Sequence, residues 1–241
     1  MTNFRSALSL ALLGCAAIAP AARAITLPSE TALPVMFTHT VDAKKAKAGD
    51  VVTARTMQAV LLPNGEQLPK GTLVTGHVVE ARPFNFNGTH YTVQQASYLS
   101  IQFDHVADSQ AAIAVRALAS NSAVEATFTP EGIDEPYGMG TMPLVGGAHY
   151  SPVAGRVTGG QYDDVIGYRK KQGVFARLLP GGEGCEGTQT EQSVAIFSPA
   201  ACGLYGFYDY SLTAEDSAFR VASAHTTVII RSGSAALLQV Q

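Results

Sequence analysis

Short apolar runs alternate along this chain with Gly, Pro, Asn and Asp at intervals of roughly ten residues, a pattern typical of antiparallel β structure. In the clearest predicted strand, residues 99–105, Leu99, Ile101 and Phe103 alternate with polar residues. One face of this strand is therefore predicted to be buried, with His105 continuing it, and the other to be solvated. The same reasoning predicts strands at 35–40, 51–59, 73–81, 91–94, 113–118, 173–179, 194–197, 219–223, 226–231 and 236–240.

Turn-forming residues support these breaks. Pro63-Asn64-Gly65 predicts a hairpin tip between two short apolar segments, and Pro69-Lys70-Gly71 precedes the next strand in the same way. Residues 72–81 are apolar on both alternating faces, which predicts a central strand that is covered on both sides. The predicted fold class is all-β, as an antiparallel sandwich or as one or more small barrels.

Helical signals are few. Residues 111–119 are rich in Ala and favour a helix by propensity, yet Ile113, Val115 and Ala117 alternate as in a strand, so both interpretations are open. The one predicted helical turn begins at Ser198-Pro199, with Ser as the N-cap and Pro in the first helical position.

Residues 127–162 are rich in Gly and Pro and show little periodicity. They are predicted to be a long connecting loop between an N-terminal β module, 25–126, and a C-terminal β module, 163–241. One β domain and two small ones both fit this division. A linker and an ordered surface loop are also both open, and docking is favoured by five apolar anchors: Tyr137, Met139, Met142, Leu144 and Tyr150.

The first residues predict export. Arg5 precedes an apolar run of signal-peptide length, and Ala22-Arg23-Ala24 is a small-x-small cleavage signature. Residues 1–24 are therefore predicted to be a signal peptide, with Ile25 as the first mature residue. Leu12-Leu13-Gly14-Cys15 also matches a lipobox, and lipidation of Cys15 is the alternative. The expected location is extracellular, periplasmic or in the outer envelope.

Composition narrows the classes of partner. Removal of 1–24 leaves 14 basic and 19 acidic side chains, a net charge of −5, which argues against nucleic acid or an anionic membrane as partner. Charged residues make up 15 % and hydrophobic residues 46 % of the chain, as in globular proteins rather than disordered ones. No apolar run after the signal is long enough for a transmembrane helix.

Two cysteines, Cys185 and Cys202, remain after signal removal. An even pair in an oxidising compartment predicts a disulfide. The bond would close a loop with 16 residues between the cysteines, and such a loop is worth about 3 kcal/mol in the chain-entropy model. Two free thiols and half of a metal site are the alternatives.

Two sets of motifs carry a family resemblance. The runs Ala48-Gly49-Asp50-Val51-Val52, Leu68-Pro69-Lys70-Gly71-Thr72 and Gly76-His77-Val78 resemble a small β module of exported bacterial proteins and, more distantly, the β-barrel module of type IV secretion outer-membrane-complex proteins. Ala201-Cys202-Gly203-Leu204-Tyr205-Gly206-Phe207 resembles a group of uncharacterised exported proteins of acidobacterial type. The resemblance covers most of the mature chain and implies a β fold and an extracytoplasmic location, without catalytic residues.

No catalytic, cofactor or metal residue is predicted. The six histidines show neither His-x-His nor His-x-x-x-His spacing, no Gly-x-Ser-x-Gly elbow occurs, and the acidic residues form no calcium-loop series. Carboxylates that converge from distant strands leave no local motif, so an enzyme stays open as an alternative.

The densest aromatic cluster is the remaining candidate for a binding surface: Tyr205, Phe207, Tyr208 and Tyr210. It is either a platform for a glycan or a protein, or a small core packed over the disulfide. The leading functional hypothesis is an exported, non-enzymatic envelope or secreted β protein with a structural or partner-binding role, and its partner is an unidentified envelope protein or glycan. The alternative is an envelope hydrolase or glycan-binding protein with a site assembled from distant strands.

Overall fold

The computed structural model of this chain describes residues 27–62, 65–90, 92–130, 140–159, 164–182, 184–215 and 217–241. Several sequence predictions fall outside these ranges: the signal peptide with Cys15, the mature N-terminus Ile25, the hairpin-tip residues Pro63 and Asn64, and the anchors Tyr137 and Met139.

The described residues are almost entirely β, as predicted, with one short helix. The first elements are β1 (Ala32–Phe37), β2 (Val41–Asp42), β3 (Val51–Thr56), β4 (Val60–Leu61), β5 (Gln67–Leu68), β6 (Leu73–Arg82), β7 (Ser97–Val106), β8 (Ser109–Ala119) and α1 (Asn121–Ala126). The remaining elements are β9 (Met142–Pro143), β10 (His149–Tyr150), β11 (Arg156–Gly159), β12 (Asp164–Lys170), β13 (Gly173–Arg177), β14 (Glu191–Ser193), β15 (Gly203–Tyr205), β16 (Tyr210–Glu215), β17 (Ala218–Ser223), β18 (Ile229–Ile230) and β19 (Ala235–Val240).

Six strands close into an antiparallel barrel in the order β1, β3, β6, β7, β8 and β19, and β19 pairs with β1 again. Besides its pairing with β6, β7 pairs with two further strands: its first residues pair with β17, and its last residues pair with β8. β17 and β16 therefore extend the sheet beyond the closed barrel, and β15 adds parallel to β8.

A second antiparallel sheet has the order β14, β13, β12, β11, β10 and β9. Three of its strands come from the segment 127–162, which is therefore partly strand-forming and corrects the prediction of a long loop. Leu144 is buried and Tyr150 packs on the apolar core, so these two predicted anchors do dock the segment. Residues 163–241 contribute strands to both sheets instead of forming a C-terminal sheet of their own.

Two apolar cores result from this arrangement. The barrel interior contains Phe37, Phe103 and Phe219, with ring centroids 5.8 Å apart for Phe37–Phe103 and 6.2 Å apart for Phe103–Phe219. The second core lies between the second sheet and the outer face of the barrel. β19 serves both cores because successive side chains of a strand point to opposite faces: Leu237 belongs to the second core and Leu238 to the barrel interior.

The outer face of β6 is exposed, which corrects the prediction that residues 72–81 are covered on both sides. Val74 and Val78 fill the barrel, but Leu73 and Val79 are 37 % and 41 % exposed. Among the described residues, the second core takes its barrel side chains from β1, β8 and β19 and none from β6, which leaves this part of the barrel outside the second core.

The position of His105 also differs from the prediction, since its side chain is exposed and does not continue the buried face of β7. A β-bulge falls between Phe103 and His105 where β7 pairs with β8. The extra residue of a bulge changes which side chain faces inward, and here Val106 is buried instead.

The short helix is α1 and not the predicted turn at Ser198-Pro199. Ser120 caps α1, since its Oγ accepts a hydrogen bond from the N–H of Ala123 at 3.2 Å. At Ser198-Pro199 the chain forms a hydrogen-bonded turn, in which the N–H of Ala201 donates to the Ser198 carbonyl at 2.9 Å. The Ala-rich segment 111–119 is part of strand β8.

Residues 194–197 form a turn instead of the predicted strand. The N–H of Phe197 donates to the Val194 carbonyl at 2.9 Å, and Ala195 has a φ of 50°. Val194 and Phe197 are both fully buried in the second core, and Phe197 forms only an isolated bridge with Val145, so the apolar run reflects burial and not a continuous strand. The two apolar segments that flank the predicted hairpin tip pair with each other as β4 and β5.

Cys185 and Cys202 form the predicted disulfide, with their Cα atoms 6.1 Å apart. The bond joins the Gly-rich segment after β13 to the turn that begins at Ser198. Gly181 packs directly against it, since an added Cβ there would lie 2.7 Å from the Cβ of Cys202. A residue without a side chain is therefore needed beside the bond.

The Cys185→Ser, Cys202→Ser double variant is expected to lower the free energy of unfolding by up to about 3 kcal/mol, because the unfolded chain regains loop entropy. Chemical denaturation of the mature protein measures the difference. Intact mass under alkylation is the control, and the unreduced wild type should resist alkylation at both positions. An unchanged denaturation midpoint in the double variant would contradict a stabilising role for the bond.

Candidate functional site

The histidines do not assemble into a metal centre. Among the described residues, no three His, Cys, Asp or Glu side chains come together in a way that could hold a metal ion. The tightest histidine group lies on the barrel wall, where Nδ1 of His77 is 2.8 Å from one carboxylate oxygen of Asp104 and Nδ1 of His105 contacts the other oxygen. One carboxylate thus contacts two imidazoles that are partly exposed to solvent.

The fold divides the predicted aromatic surface. The hydroxyl of Tyr205 accepts a hydrogen bond from the N–H of Cys202 at 3.0 Å, and its ring packs on the second core beside the disulfide. The rings of Phe207 and Tyr210 pack against each other, with centroids 5.5 Å apart, and both side chains contact the barrel core. Tyr208, in contrast, is 87 % exposed. Tyr205 is therefore part of the packing around the disulfide, and the other three residues lie apart from it.

Phe207, Tyr208 and Tyr210 share a small cleft of about 320 Å³, which Arg231 also lines. Burial raises the pKa of Tyr210 above its ordinary value, and its hydroxyl donates to the Thr227 carbonyl at 3.3 Å. The Tyr210 hydroxyl is thus neutral and hydrogen-bonded within the protein. The side chains of Tyr208 and Arg231 are exposed to solvent.

A larger groove of about 1090 Å³ lies where the barrel meets the second sheet. One wall is formed by the ends of β1 and β3 and by the turn at residues 70–71. The other wall is formed by the β12–β13 hairpin, β10 and the segment 152–155. We call this space the interlayer groove, and its lining residues are Met36, Arg55, Thr56, Met57, Gln58, Lys70, Gly71, Phe128, Tyr150, Pro152, Val153, Ala154, Gly155, Arg169, Lys170, Lys171, Gln172, Gly173, Val174, Ala195 and Ile196.

Gln58 holds the two walls together. Its Nε2 donates to the Val174 carbonyl and its Oε1 accepts from the Val174 N–H, both at 2.8 Å. Gly173, with a φ of 146°, allows this approach, because an added Cβ would lie only 2.1 Å from the Gln58 Oε1. Gln58 is buried, so this pair of bonds fixes the hairpin against the barrel away from competing water.

The groove presents apolar surface to solvent. Phe128 is 62 % and Val153 is 74 % exposed, although both are large apolar side chains. Met36 and Met57 lie against the second core and also line the groove. Contiguous exposed apolar surface on a soluble protein marks sites of interaction.

The groove is also basic. Two of its cations are held in place: Nη1 of Arg55 donates to the Gly71 carbonyl at 2.8 Å, and the Arg169 guanidinium lies 5.4 Å from the centre of the Tyr150 ring. Lys170 pairs with Glu191, which is not a lining residue. The described lining residues include no acidic side chain and five basic ones: Arg55, Lys70, Arg169, Lys170 and Lys171.

Sequence reasoning missed this groove. A net charge of −5 argued against nucleic acid and anionic membranes as partners, but it averages over the whole surface and conceals a local reversal of sign. The only local signal is the basic run Arg169-Lys170-Lys171. The other lining residues are spread from Met36 to Ile196, and only folding brings them together.

No protein family, curated protein or solved structure matches this chain. In the part of the chain that the structure describes, no helix has the length and apolar character needed to cross a membrane. The geometry of the groove is therefore the basis for assigning a function.

Proposed function

We propose that this protein is an exported, non-enzymatic β protein of the cell envelope or the secreted fraction that binds an anionic partner in the interlayer groove. One observation carries the proposal: exposed apolar side chains occur together with five basic side chains, of which Lys170 is already paired with Glu191, in a groove of about 1090 Å³ whose described lining residues include no carboxylate. Apolar contact supplies affinity in such a site, and the cations select for negative charge.

Two observations support export. Residues 1–24 carry the charge, apolar run and cleavage pattern of a signal peptide. The Cys185–Cys202 disulfide is the kind of bond that persists in oxidising compartments outside the cytoplasm.

The chemistry of the groove supports binding over hydrolysis. Glycoside hydrolysis uses a pair of carboxylates about 5–10 Å apart, and the described lining contributes none. Thr56 and Tyr150 are the hydroxyl groups of the lining, and the Thr56 hydroxyl donates to the Pro69 carbonyl. No imidazole or carboxylate among the described lining residues is placed to activate either hydroxyl.

An anionic aromatic probe tests the proposal. Anilinonaphthalene sulfonate should bind the folded mature protein with increased fluorescence, and the Arg169→Glu, Lys171→Glu variant should bind it at least about tenfold more weakly, a loss of about 1.4 kcal/mol. Fluorescence titration measures the affinity. Both positions are exposed, so circular dichroism should show an unchanged fold.

The Lys44→Glu, Lys47→Glu variant is the matched control, because it makes the same charge change at exposed positions outside the groove. It should alter the affinity less than about twofold, since charges beyond about 10 Å are screened in salt. An equal loss in both variants, or no loss in the groove variant, would remove the groove as the binding site.

A glycan site at the small cleft is the second candidate, favoured by the 87 % exposure of Tyr208 beside polar groups. The cleft shares no lining residue with the interlayer groove. Tyr208→Ala should therefore leave probe binding unchanged. Probe binding that depends on Tyr208 and not on Arg169 and Lys171 would favour this second site.

A further inference from the structure

We infer that the occupant of the interlayer groove is an extended acidic peptide segment of a partner protein, with apolar side chains against the groove and carboxylates at its cations. The inference rests on the proposed function and adds the chemical class of the partner.

The placement of the cations favours a ligand with several negative charges. Arg55 and Lys70 stand on the barrel wall, and the run Arg169-Lys170-Lys171 stands on the opposite hairpin. Because the cations stand on two different walls, a chain with several carboxylates can pair with both groups at once. Arg55 and Arg169 are already oriented by the Gly71 carbonyl and the Tyr150 ring, which lowers the entropy lost when a carboxylate binds.

The apolar surface favours peptide side chains over an acyl chain. Pockets for small ligands hold about 300–1,000 Å³ and bury most of the ligand. The interlayer groove, at about 1090 Å³, is slightly larger than that range, and its most exposed apolar groups, Phe128 and Val153, stand open to water and do not enclose a tunnel. An acyl chain there would remain partly hydrated.

An extended peptide fits both the apolar surface and the cations of the groove. Its side chains alternate between two sides, so in a sequence of alternating acidic and apolar residues one side presents apolar groups to the groove and the other presents carboxylates to the cations of its walls. The flexible side chains of Met36 and Met57 can adjust to apolar groups of different shape. Charge complementarity then sets the register and speeds association.

A labelled peptide of alternating Glu and Leu, about ten residues long and thus able to span about 30 Å, is the probe for fluorescence anisotropy. It should bind the mature protein. A Glu/Ser peptide, which keeps the charge and lacks the apolar groups, and a Lys/Leu peptide, which reverses the charge, should each bind at least about tenfold more weakly, a loss of about 1.4 kcal/mol.

Variants of the protein locate the peptide. Phe128→Ser with Val153→Ser, and Arg169→Glu with Lys171→Glu, should each weaken binding of the Glu/Leu peptide at least about tenfold, the loss expected when an anchor of an interface is removed. Phe86→Ser with Val93→Ser is the matched control, because it makes the same substitutions at exposed positions outside the groove. This control should bind like the wild type.

The outcomes separate the inference from the proposed function. If the groove variants weaken the binding of anilinonaphthalene sulfonate but not that of the Glu/Leu peptide, the peptide is not the occupant of the groove. The proposed anionic binding site is then still supported. Cosedimentation with phosphatidylglycerol vesicles that is lost in both groove variants, with no peptide binding, would replace the peptide by a lipid surface. Loss of the groove dependence of both probes would overturn the proposed function itself.

Discussion

Replacement of Arg116 by Met is expected to lower the free energy of unfolding by about 3 kcal/mol, because three carbonyls each lose a charged donor and each such loss costs at least about 1 kcal/mol. Arg116 is buried in β8, at 2 % exposure. Its Nε donates to the Ala201 carbonyl at 3.0 Å, and its two terminal nitrogens donate to the carbonyls of Glu186 and Leu179. Burial lowers the pKa of Arg116 from its ordinary value, yet a guanidinium stays charged at neutral pH.

Arg116 therefore binds both arms of the disulfide-linked segment to the barrel. Chemical denaturation measures the loss, and the melting temperature should fall by about 6–12 °C for a chain of this size. Arg116→Lys should recover only part of it, because an ammonium lacks the planar fork that reaches three carbonyls.

The matched control is Arg156→Met, which removes an exposed arginine from a strand of the second sheet. Its effect should stay within about 0.5 kcal/mol, as for most surface substitutions. An equal free energy of unfolding for Arg116→Met and Arg156→Met would contradict this prediction. It would show that the three carbonyls accept hydrogen bonds from other donors, water included, when Arg116 is removed.

Gly76→Ala is expected to destabilise the barrel by about 3 kcal/mol or more, at the upper end of the effects of overpacking. An added Cβ at Gly76 would lie 2.1 Å from the Gln102 carbonyl oxygen and 2.7 Å from the Cα of Phe103, both backbone atoms. β7 cannot move away easily, because Gln102 is paired with Ala218 of β17 and Phe103 with Ile113 of β8. Relief of the clash requires that barrel pairing be broken.

Gly88→Ala is the control for this substitution. An added Cβ at Gly88 meets only the Phe86 ring edge at 3.6 Å, an ordinary contact. It should be neutral or stabilise by up to about 1 kcal/mol through reduced entropy of the unfolded chain. Thermal denaturation followed by circular dichroism compares the two variants. Equal melting temperatures for Gly76→Ala and Gly88→Ala would show that β6 and β7 leave room for a Cβ at position 76.

The apolar alternation predicted individual strands well where one face of the strand is buried. Leu99, Ile101 and Phe103 are all buried on the inner face of β7, as the pattern predicts. Alternation fails where a bulge intervenes, as at His105, or where a buried apolar run belongs to a turn, as at residues 194–197. At His105 the side chain that the pattern predicts to be buried is exposed, and at residues 194–197 the apolar side chains are buried without forming a strand. In both places the pairing geometry, which the pattern does not contain, decides the structure.

The features around the disulfide and the aromatic cluster could be predicted from the sequence only in part. Cys185 and Cys202 were paired by their number and expected compartment, whereas nothing local to Arg116 indicates that it is buried. The aromatic cluster looks continuous in sequence, but the backbone turns at Gly206, with a φ of 70°, and Tyr205 and Tyr208 lie in different surroundings.

The sequence by itself determined the class of secondary structure, the positions of most barrel strands and the disulfide, because each depends on local periodicity, turn chemistry or a simple count of residues. The tertiary structure alone decided that β8 closes the barrel against β7 and β19, that β6 is open on its outer face, and that a basic groove exists. The physical reason is that alternation specifies which face of a strand is buried and says nothing of its partner. Pairing between strands as distant as β1 and β19 is chosen by the joint packing of two cores, and the groove exists only where the two packed layers meet.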